Sequence, residues 1–434
     1  MNTNESSDPA DDATSVGPGT ADAPDLATPV RSVRKRLDEL LVLLLPAVIL
    51  VPVVLTTPLT DHNDGFDSDG MKYAAMALRR PELYDLAHTE PWCWRVVTPL
   101  LASLLPFHII GSFTIIAFVS DWIALSLLFC LMRRCGLSEI GSVLGVLLYA
   151  GIFWTVKFSF FSPCYVEHQT QMLLVLGLYL IVRRAYWTLP ILLAVAVLQK
   201  ESLLALAPIA IAHYWISQTR IDGRGWAWMI VLVAAPAVVL AIVRSQIASI
   251  NPGWSRSAAT YSLTEQIFDP TFWPRFFLSF YSGLGLLPLI LIVRCRPALR
   301  YLRENPHWIV ALLVGAAALF AGGDKSRLFL LAAPVICLVA AQTLEPLLTS
   351  RNFASLSWVA IAILLHLYLG SLFSPMGSFY DFTDRFVPIH SKILHIAFER
   401  DTWVSLTFGV ATLVLLRDSS QRREIAEAAS SPQR

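Results

Sequence analysis

Charge is scarce in this chain. Asp, Glu, Lys and Arg make up 15% of its 434 residues, whereas soluble domains carry roughly 25%. The shortage disfavours a soluble protein of two or three domains. The formal net charge is +1, and no basic stripe is interleaved with aromatics. Single-strand nucleic-acid binding needs such a stripe, so no nucleic acid is expected as a partner. Phosphate-cradling glycine loops, a GxSxG elbow and a HExxH helix are all missing. Internal repeats are missing too, so the inverted halves common in secondary transporters are not evident. The six cysteines lack metal-site spacing. Cys130, Cys135, Cys295 and Cys337 fall in or beside apolar runs and read as small apolar fillers. Cys93 and Cys164 could pair in an oxidising compartment, which spacing does not decide.

What is present is apolar: 55% of the residues are hydrophobic. They come in blocks of about 15 to 20, the length that crosses a bilayer as helix. The expected fold is all-α, a polytopic integral membrane protein; a transmembrane barrel would need short alternating strands instead. About twelve segments are expected. They lie near 39–57, 107–131, 140–156, 169–182, within 187–217, and near 226–243, 276–293, 308–321, 328–344, 355–372 and 402–416. The stretch 187–217 reads either as one long helix or as two short ones broken at Gln199-Lys200-Glu201. Two is the better reading, because it places Arg220, Arg224, Arg294, Arg296, Arg300 and Arg303 together on the cytoplasmic side.

Arg31, Arg34, Lys35 and Arg36 precede the first segment, so the positive-inside rule puts the N-terminus in the cytoplasm. Both termini are then cytoplasmic, in a multi-pass protein of the plasma membrane. Residues 1–36 are expected as a disordered cytoplasmic tail, since the first thirty cannot bury a core. Residues 37–417 form the transmembrane domain and 418–434 a second cytoplasmic tail. The large first loop, 58–106, faces outward, as do 244–275 and 373–401. The working surface is therefore external.

That first loop holds Asp61, Asp64, Asp67 and Asp69 within nine residues, directly after an apolar run. Ionisable groups at a membrane boundary are costly unless solvated or used. The following MKYAAMALRR suits an amphipathic helix on the outer membrane surface, with Asp69, Tyr73, Met76 and Ala77 on one face. Capping of this helix would occupy one aspartate, not four. Asp64, Asp67 and Asp69 could hold Mg²⁺ or Mn²⁺, since oxygen-only clusters suit hard cations. Glu167 and His168, in a short outer loop, could contact a sugar or a metal, or pair with one another. Asp121, inside the second segment, needs a partner or a wet cavity.

The run DGMKYAAMA, residues 69–77, resembles the Asp-Gly-x-x-Tyr-x-x-Ile-Ala element in the first outer loop of GT-C superfamily glycosyltransferases. It is most similar to the bacterial membrane proteins related to protein O-mannosyltransferases and glycolipid-anchor mannosyltransferases. PWCWRVVTPLLASLLP, residues 91–106, is similar to the segment that often follows in such sequences. Lys200-Glu201 at a helix break, and Gly323-Asp324-Lys325-Ser326-Arg327 before a later segment, also look like features of that group. The resemblance covers about residues 40–345. It implies a GT-C-like fold, a polyprenyl-phosphate sugar donor, an acceptor hydroxyl on a glycan, lipid or protein, and a first-loop aspartate as general base. On that reading Asp69 is the first choice as base and Asp67 the second. Arg95, Lys157, Lys200, Lys325 and Arg327 are the candidate phosphate contacts, with Tyr73, Glu167, His168, Glu201 and Asp324 beside the substrate. Snorkelling to the interface is the plain alternative for Arg95 and Lys157, and a simple turn is the alternative for 323–327. The rival functions are a transporter or flippase of a lipid-linked or anionic substrate, and a non-catalytic protein of envelope assembly.

Overall fold

The computed structural model describes residues 28–373, except 67, 219, 265–267, 271–272, 274–276, 278–280, 282, 321–324 and 350–352, together with 409–410. All of the expected segment at 402–416 except 409–410, nearly all of the loop 373–401 and most of both tails lie outside the described residues. So does much of the expected segment 276–293.

All regular structure among the described residues is helical. Helix α1 (Thr28–Thr56) begins in a first unit, residues 1–40, and continues in the second, 41–434. In the second unit follow α2 (Ser68–Leu78), the single turn α3 (Tyr84–Ala87), α4 (Val97–Leu104), α5 (Ile109–Arg134), α6 (Glu139–Ala150), the short α7 (Val156–Phe161) and α8 (Glu167–Val182). Next come α9 (Leu189–Gln199), α10 (Leu206–Ser217), α11 (Gly223–Gln246), α12 (Trp254–Thr264), α13 (Leu287–Val293) and α14 (Cys295–Glu304). The series closes with α15 (His307–Ala318), the single turn α16 (Lys325–Leu328), α17 (Ala333–Leu348) and α18 (Phe353–Leu369).

Among the described residues, four helical stretches are long and apolar enough to cross a membrane: Leu37–Thr56, Ile109–Arg134, Gly223–Gln246 and Phe329–Leu348. The last is 83% buried within the protein, whereas the first and third are only 22% buried and turn most of their apolar surface outward. A helix apolar on all sides and largely uncovered needs an apolar medium around it. The centre is built by α5, α6, α8 and α17, whose inward faces interlock around Phe129, Met132, Tyr149, Phe153, Trp154 and Leu338.

Local chemistry sets several of the ends. Asp222 caps α11 by accepting from the Gly225 amide at 2.8 Å, and Ser138 caps α6 by accepting from Gly141, each satisfying an amide the helix leaves free. Arg133 and Arg134 close α5, where positive charge complements the helix dipole. The expected third segment is shorter than its apolar run. Helix α6 stops at Ala150, and a buried turn leads into α7. Thr155 Oγ1 donates to the Tyr149 and Ile152 carbonyls at 2.8 and 2.7 Å, so the break leaves no orphan there.

The stretch 187–217 is two helices, as its charged centre predicts. Lys200, between α9 and the 3-10 turn Glu201–Ala205, is extended at φ −163°, ψ 129°. The backbone is held across the break from outside: Val96 N donates to Leu198 O at 2.9 Å and Thr98 N to Gln199 Oε1 at 3.1 Å. Helix α2 differs from its expected place on a surface. Tyr73, Ala74, Ala75 and Ala77 are all buried, packed against α4, α5 and the segment Cys164–Val166. Its small residues allow this. A Cβ at Gly70 would stand 3.2 Å from that of Cys164, so glycine lets the two chains touch.

Candidate functional site

Ser68 opens α2, which places Asp69 in its first turn and Lys72 and Tyr73 one turn further on the same face. Asp69 is held from two sides. Lys72 Nζ lies 3.4 Å from Oδ1, and Arg327 Nη2, from the distant turn α16, lies 3.3 Å from Oδ2. Arg327 then reaches Glu167 Oε1 at 3.7 Å, and the same oxygen accepts from Lys200 Nζ at 2.9 Å. Arg95 forms the other flank. Its Nε donates to Glu201 Oε2 at 3.1 Å and its Nη1 to the Tyr73 hydroxyl at 3.0 Å. Lys72 also stands 3.1 Å over the Trp92 ring and Arg327 5.5 Å from the centre of the Tyr165 ring, both favourable cation–π arrangements.

Among the described side chains, four cations and three carboxylates thus meet from five stretches of chain. Burying ions costs several kcal/mol each unless they are paired and hydrogen-bonded. The cost here is met in part by pairing and in part by partial exposure. Glu167 is the deepest, its side chain 6% exposed, while Asp69, Arg95 and Arg327 keep 15–17%. A cavity of about 50 Å³ adjoins them, bounded by Glu167, Thr170, Lys200, Ser202 and Arg327 on its polar side and by Leu330 and Leu331 on the other. That volume takes a water or two, each filling about 30 Å³ in the liquid, and not a sugar.

Burial alone would raise the Glu167 carboxyl, but Lys200 and Arg327 outweigh it and hold the group down at about 2. Lys200 is itself lowered by burial, with Arg95 and Arg327 adding to the fall and Glu167 resisting it. Lys72 is lowered by burial against the pull of Asp69, and burial pushes the Tyr73 phenol up, so it stays protonated. His168 is 1% exposed, neither ring nitrogen has a hydrogen-bond partner among the described residues, and burial pulls it down to about 4 despite Glu167. It is a neutral imidazole and not an ion-pair partner.

A polar seam fixes these groups from behind. Thr98 Oγ1 donates to Gln169 Oε1, and Gln199 Nε2 donates to Val166 O at 2.8 Å. The seam ties the start of α4 to α8 and to the end of α9, one residue from Lys200 and three from Arg95. From the side, Glu90 accepts from the Gly253 and Ser255 amides at 2.8 and 3.4 Å, anchoring the start of α12, and Trp254 rests on Trp92 with ring centres 5.0 Å apart.

Of the residues picked from sequence, Asp69, Tyr73, Arg95, Glu167, Lys200, Glu201 and Arg327 therefore come together, with His168 directly behind. Lys157 does not join them through any of these bonds; it is buried and donates to Thr57 Oγ1 at 2.9 Å, at the end of α1. Asp67 and Asp324 lie outside the described residues, as do the side chains of Asp64 and Lys325. Among the described residues no three His, Cys, Asp or Glu side chains form a group fit for a metal. Cys93 and Cys164 are separate, buried free thiols. The sequence reading passed over Lys72 and Trp92. Lys72 was legible from its i+3 spacing to Asp69; Trp92 was not, since only the fold sets it beneath Lys72. A scan against protein-family models finds no match to this chain, and neither does a search of the curated proteins.

Proposed function

We propose that this protein is a membrane glycosyltransferase of GT-C-like architecture, with about twelve membrane segments and both termini in the cytoplasm of a plasma membrane. It moves a sugar from a polyprenyl phosphate to an acceptor hydroxyl of a glycan, lipid or protein on the outer face. The observation that carries the reading is the shared hold of Lys72 and Arg327 on the Asp69 carboxylate, with Arg95 and Lys200 in the same cluster. Lys72, Arg95, Lys200 and Arg327 offer positive charge to the single negative charge of a phosphodiester donor. Arg327 presents a planar fork to phosphate oxygens, and Lys200 a point charge.

Binding of the donor phosphate draws Arg327 away from Asp69, and the carboxylate is then free to meet the acceptor hydroxyl. The acceptor hydroxyl loses its proton to Asp69 as its oxygen bonds to the anomeric carbon. The bond from that carbon to the phosphate oxygen breaks, and its electron pair leaves with the lipid phosphate. The charge that grows on the leaving group is met by Arg327, Lys200 and Arg95. One carboxylate suffices for this inverting displacement, since the leaving phosphate is already a stable anion. The rival reading, passage of an anionic substrate across the bilayer, is favoured by the extended backbone at Lys200 between two short helices.

The test is turnover of the full-length protein in vesicles with a panel of polyprenyl-phosphate sugars. Asp69→Asn is expected to lose on the order of 10² to 10⁴ in kcat, the range general-base catalysis supplies. Wild-type turnover by Asp69→Asn removes Asp69 as base. Entry of the intact sugar phosphate into the vesicles without transfer selects the transport reading.

A further inference from the structure

A second region lies on α10 and α11, which carry none of the charged residues gathered at Asp69. Helices α10 and α11 splay to leave an open groove of about 550 Å³, lined by Ile211 and Trp215 of α10 and by Trp226, Ile230, Ala234 and Ala237 of α11. Its walls are uncovered: Trp215 is 56% exposed, Trp226 53% and Ile230 65%. From Trp226 to Ala237 the groove follows α11 for about 16 Å at 1.5 Å per residue. One leaflet of a bilayer's hydrocarbon core is about 15 Å deep, half of the whole.

The two ends of the groove differ. At the Trp226 end, Trp215 and Trp226 meet edge to face at 6.4 Å, and Trp187, in the turn before α9, is 62% exposed. Tryptophan gathers where hydrocarbon gives way to headgroups. Beyond these rings the chain places Arg220, in the link from α10 to α11, and Arg224, in the first turn of α11, both exposed. Arg184 lies close enough to act on Tyr186 and His213 at the same end. The acid between the two arginines, Asp222, is engaged as the cap of α11. Away from this end the groove is lined only by aliphatic side chains.

We propose that this groove is a binding site for an anionic phospholipid of the surrounding membrane, with one acyl chain along Ile230, Ala234 and Ala237 and the phosphate at Arg220 and Arg224. Length, aromatic rim and excess of positive charge at one end favour a lipid over a protein helix, which would be served by an apolar groove without a charged end. The site is independent of the reading given to Asp69.

The test is native mass spectrometry of the full-length protein taken from vesicles of equal parts phosphatidylcholine and phosphatidylglycerol. The wild type is expected to retain phosphatidylglycerol in preference to phosphatidylcholine. Arg220→Ala/Arg224→Ala should weaken that retention roughly thirtyfold, from about a factor of five for each charge near a headgroup. Ala234→Trp, which fills the groove and keeps both arginines, should abolish it while α-helical circular dichroism stays unchanged. Equal retention of the two lipids by the wild type overturns the proposal, as does full retention by either variant. Disulfide cross-linking between two copies through Ile230→Cys, in place of lipid, would assign the groove to self-association and equally overturn it.

Discussion

Glu167 is the group whose removal tests the ion network most directly. Its carboxyl is held at about 2, against 4.5 for a free glutamate, by Lys200 and Arg327 acting against burial. A carboxylate with a depressed value stabilises the fold above its unfolded value, and that contribution is lost as pH falls through the folded one. The window here runs from about 4.5 down to about 2. The difference corresponds to about 3 kcal/mol at neutral pH. Glu167→Gln also strands Lys200, while Arg327 keeps its contact to Asp69, and breaking a buried pair costs about 3 to 5 kcal/mol. Lys200→Met should cost a similar amount, because Glu167 keeps only the longer contact to Arg327. The double variant removes both charges together, so its cost should fall short of the sum by about 2 kcal/mol. The assay is unfolding in detergent micelles at pH 7 and pH 3 for the wild type, both single variants and the double. The deficit of Glu167→Gln should shrink by about 2 kcal/mol between pH 7 and pH 3, since the wild type is by then losing the same interaction. Additive costs, or a deficit indifferent to pH, would refute the geometry from which this reasoning starts.

Lys157 should behave in the opposite sense. Burial pulls it down to about 8 from 10.5, so its protonated form opposes folding and stability rises as pH climbs between those values. Lys157→Met is therefore expected to raise the melting temperature at pH 7 and to lose that advantage above pH 10.5; a loss of stability at pH 7 would contradict it. Thiol labelling separates the cysteines. Burial pushes Cys93 up to about 11 and Cys164 up to about 12, so both should resist maleimide in the folded protein, while the exposed Cys295 reacts. A shift of Cys93 and Cys164 into labelling only after reduction would show a disulfide instead. For Asp69→Asn, the loss of turnover should appear without loss of donor binding, because Arg327 and Lys72 are then freer to meet the phosphate.

The all-helical character and the four long apolar helices among the described residues were legible along the chain, because a polar backbone is costly in hydrocarbon unless a continuous helix satisfies it. The break at Lys200 was legible for the same reason: Gln199, Lys200 and Glu201 interrupt an apolar run that would otherwise continue. The early stop of α6 was not. Residues 151–156 are as apolar as a helix would be, and the turn forms because Thr155 can satisfy carbonyls from Tyr149 and Ile152. The burial of α2 was also hidden, since its alternation of small and polar residues suits a membrane surface as well as a tight interface.

Sequence alone determined that Asp69, Lys72 and Tyr73 share a helix face, because 3.6 residues per turn leave no other outcome. It also marked Arg95, Glu167, Lys200 and Arg327 as charges that an apolar chain must either pair or expose. Their meeting was decided only by tertiary structure. Arg327 reaches Asp69 across 258 positions of sequence, and no local periodicity carries information over that distance. The pairing follows from packing: α4, α8 and the α9–α10 break are locked by Thr98, Gln169 and Gln199, and Arg327 of α16 reaches Asp69 and Glu167. A charge unable to escape into water from that position finds the nearest opposite one.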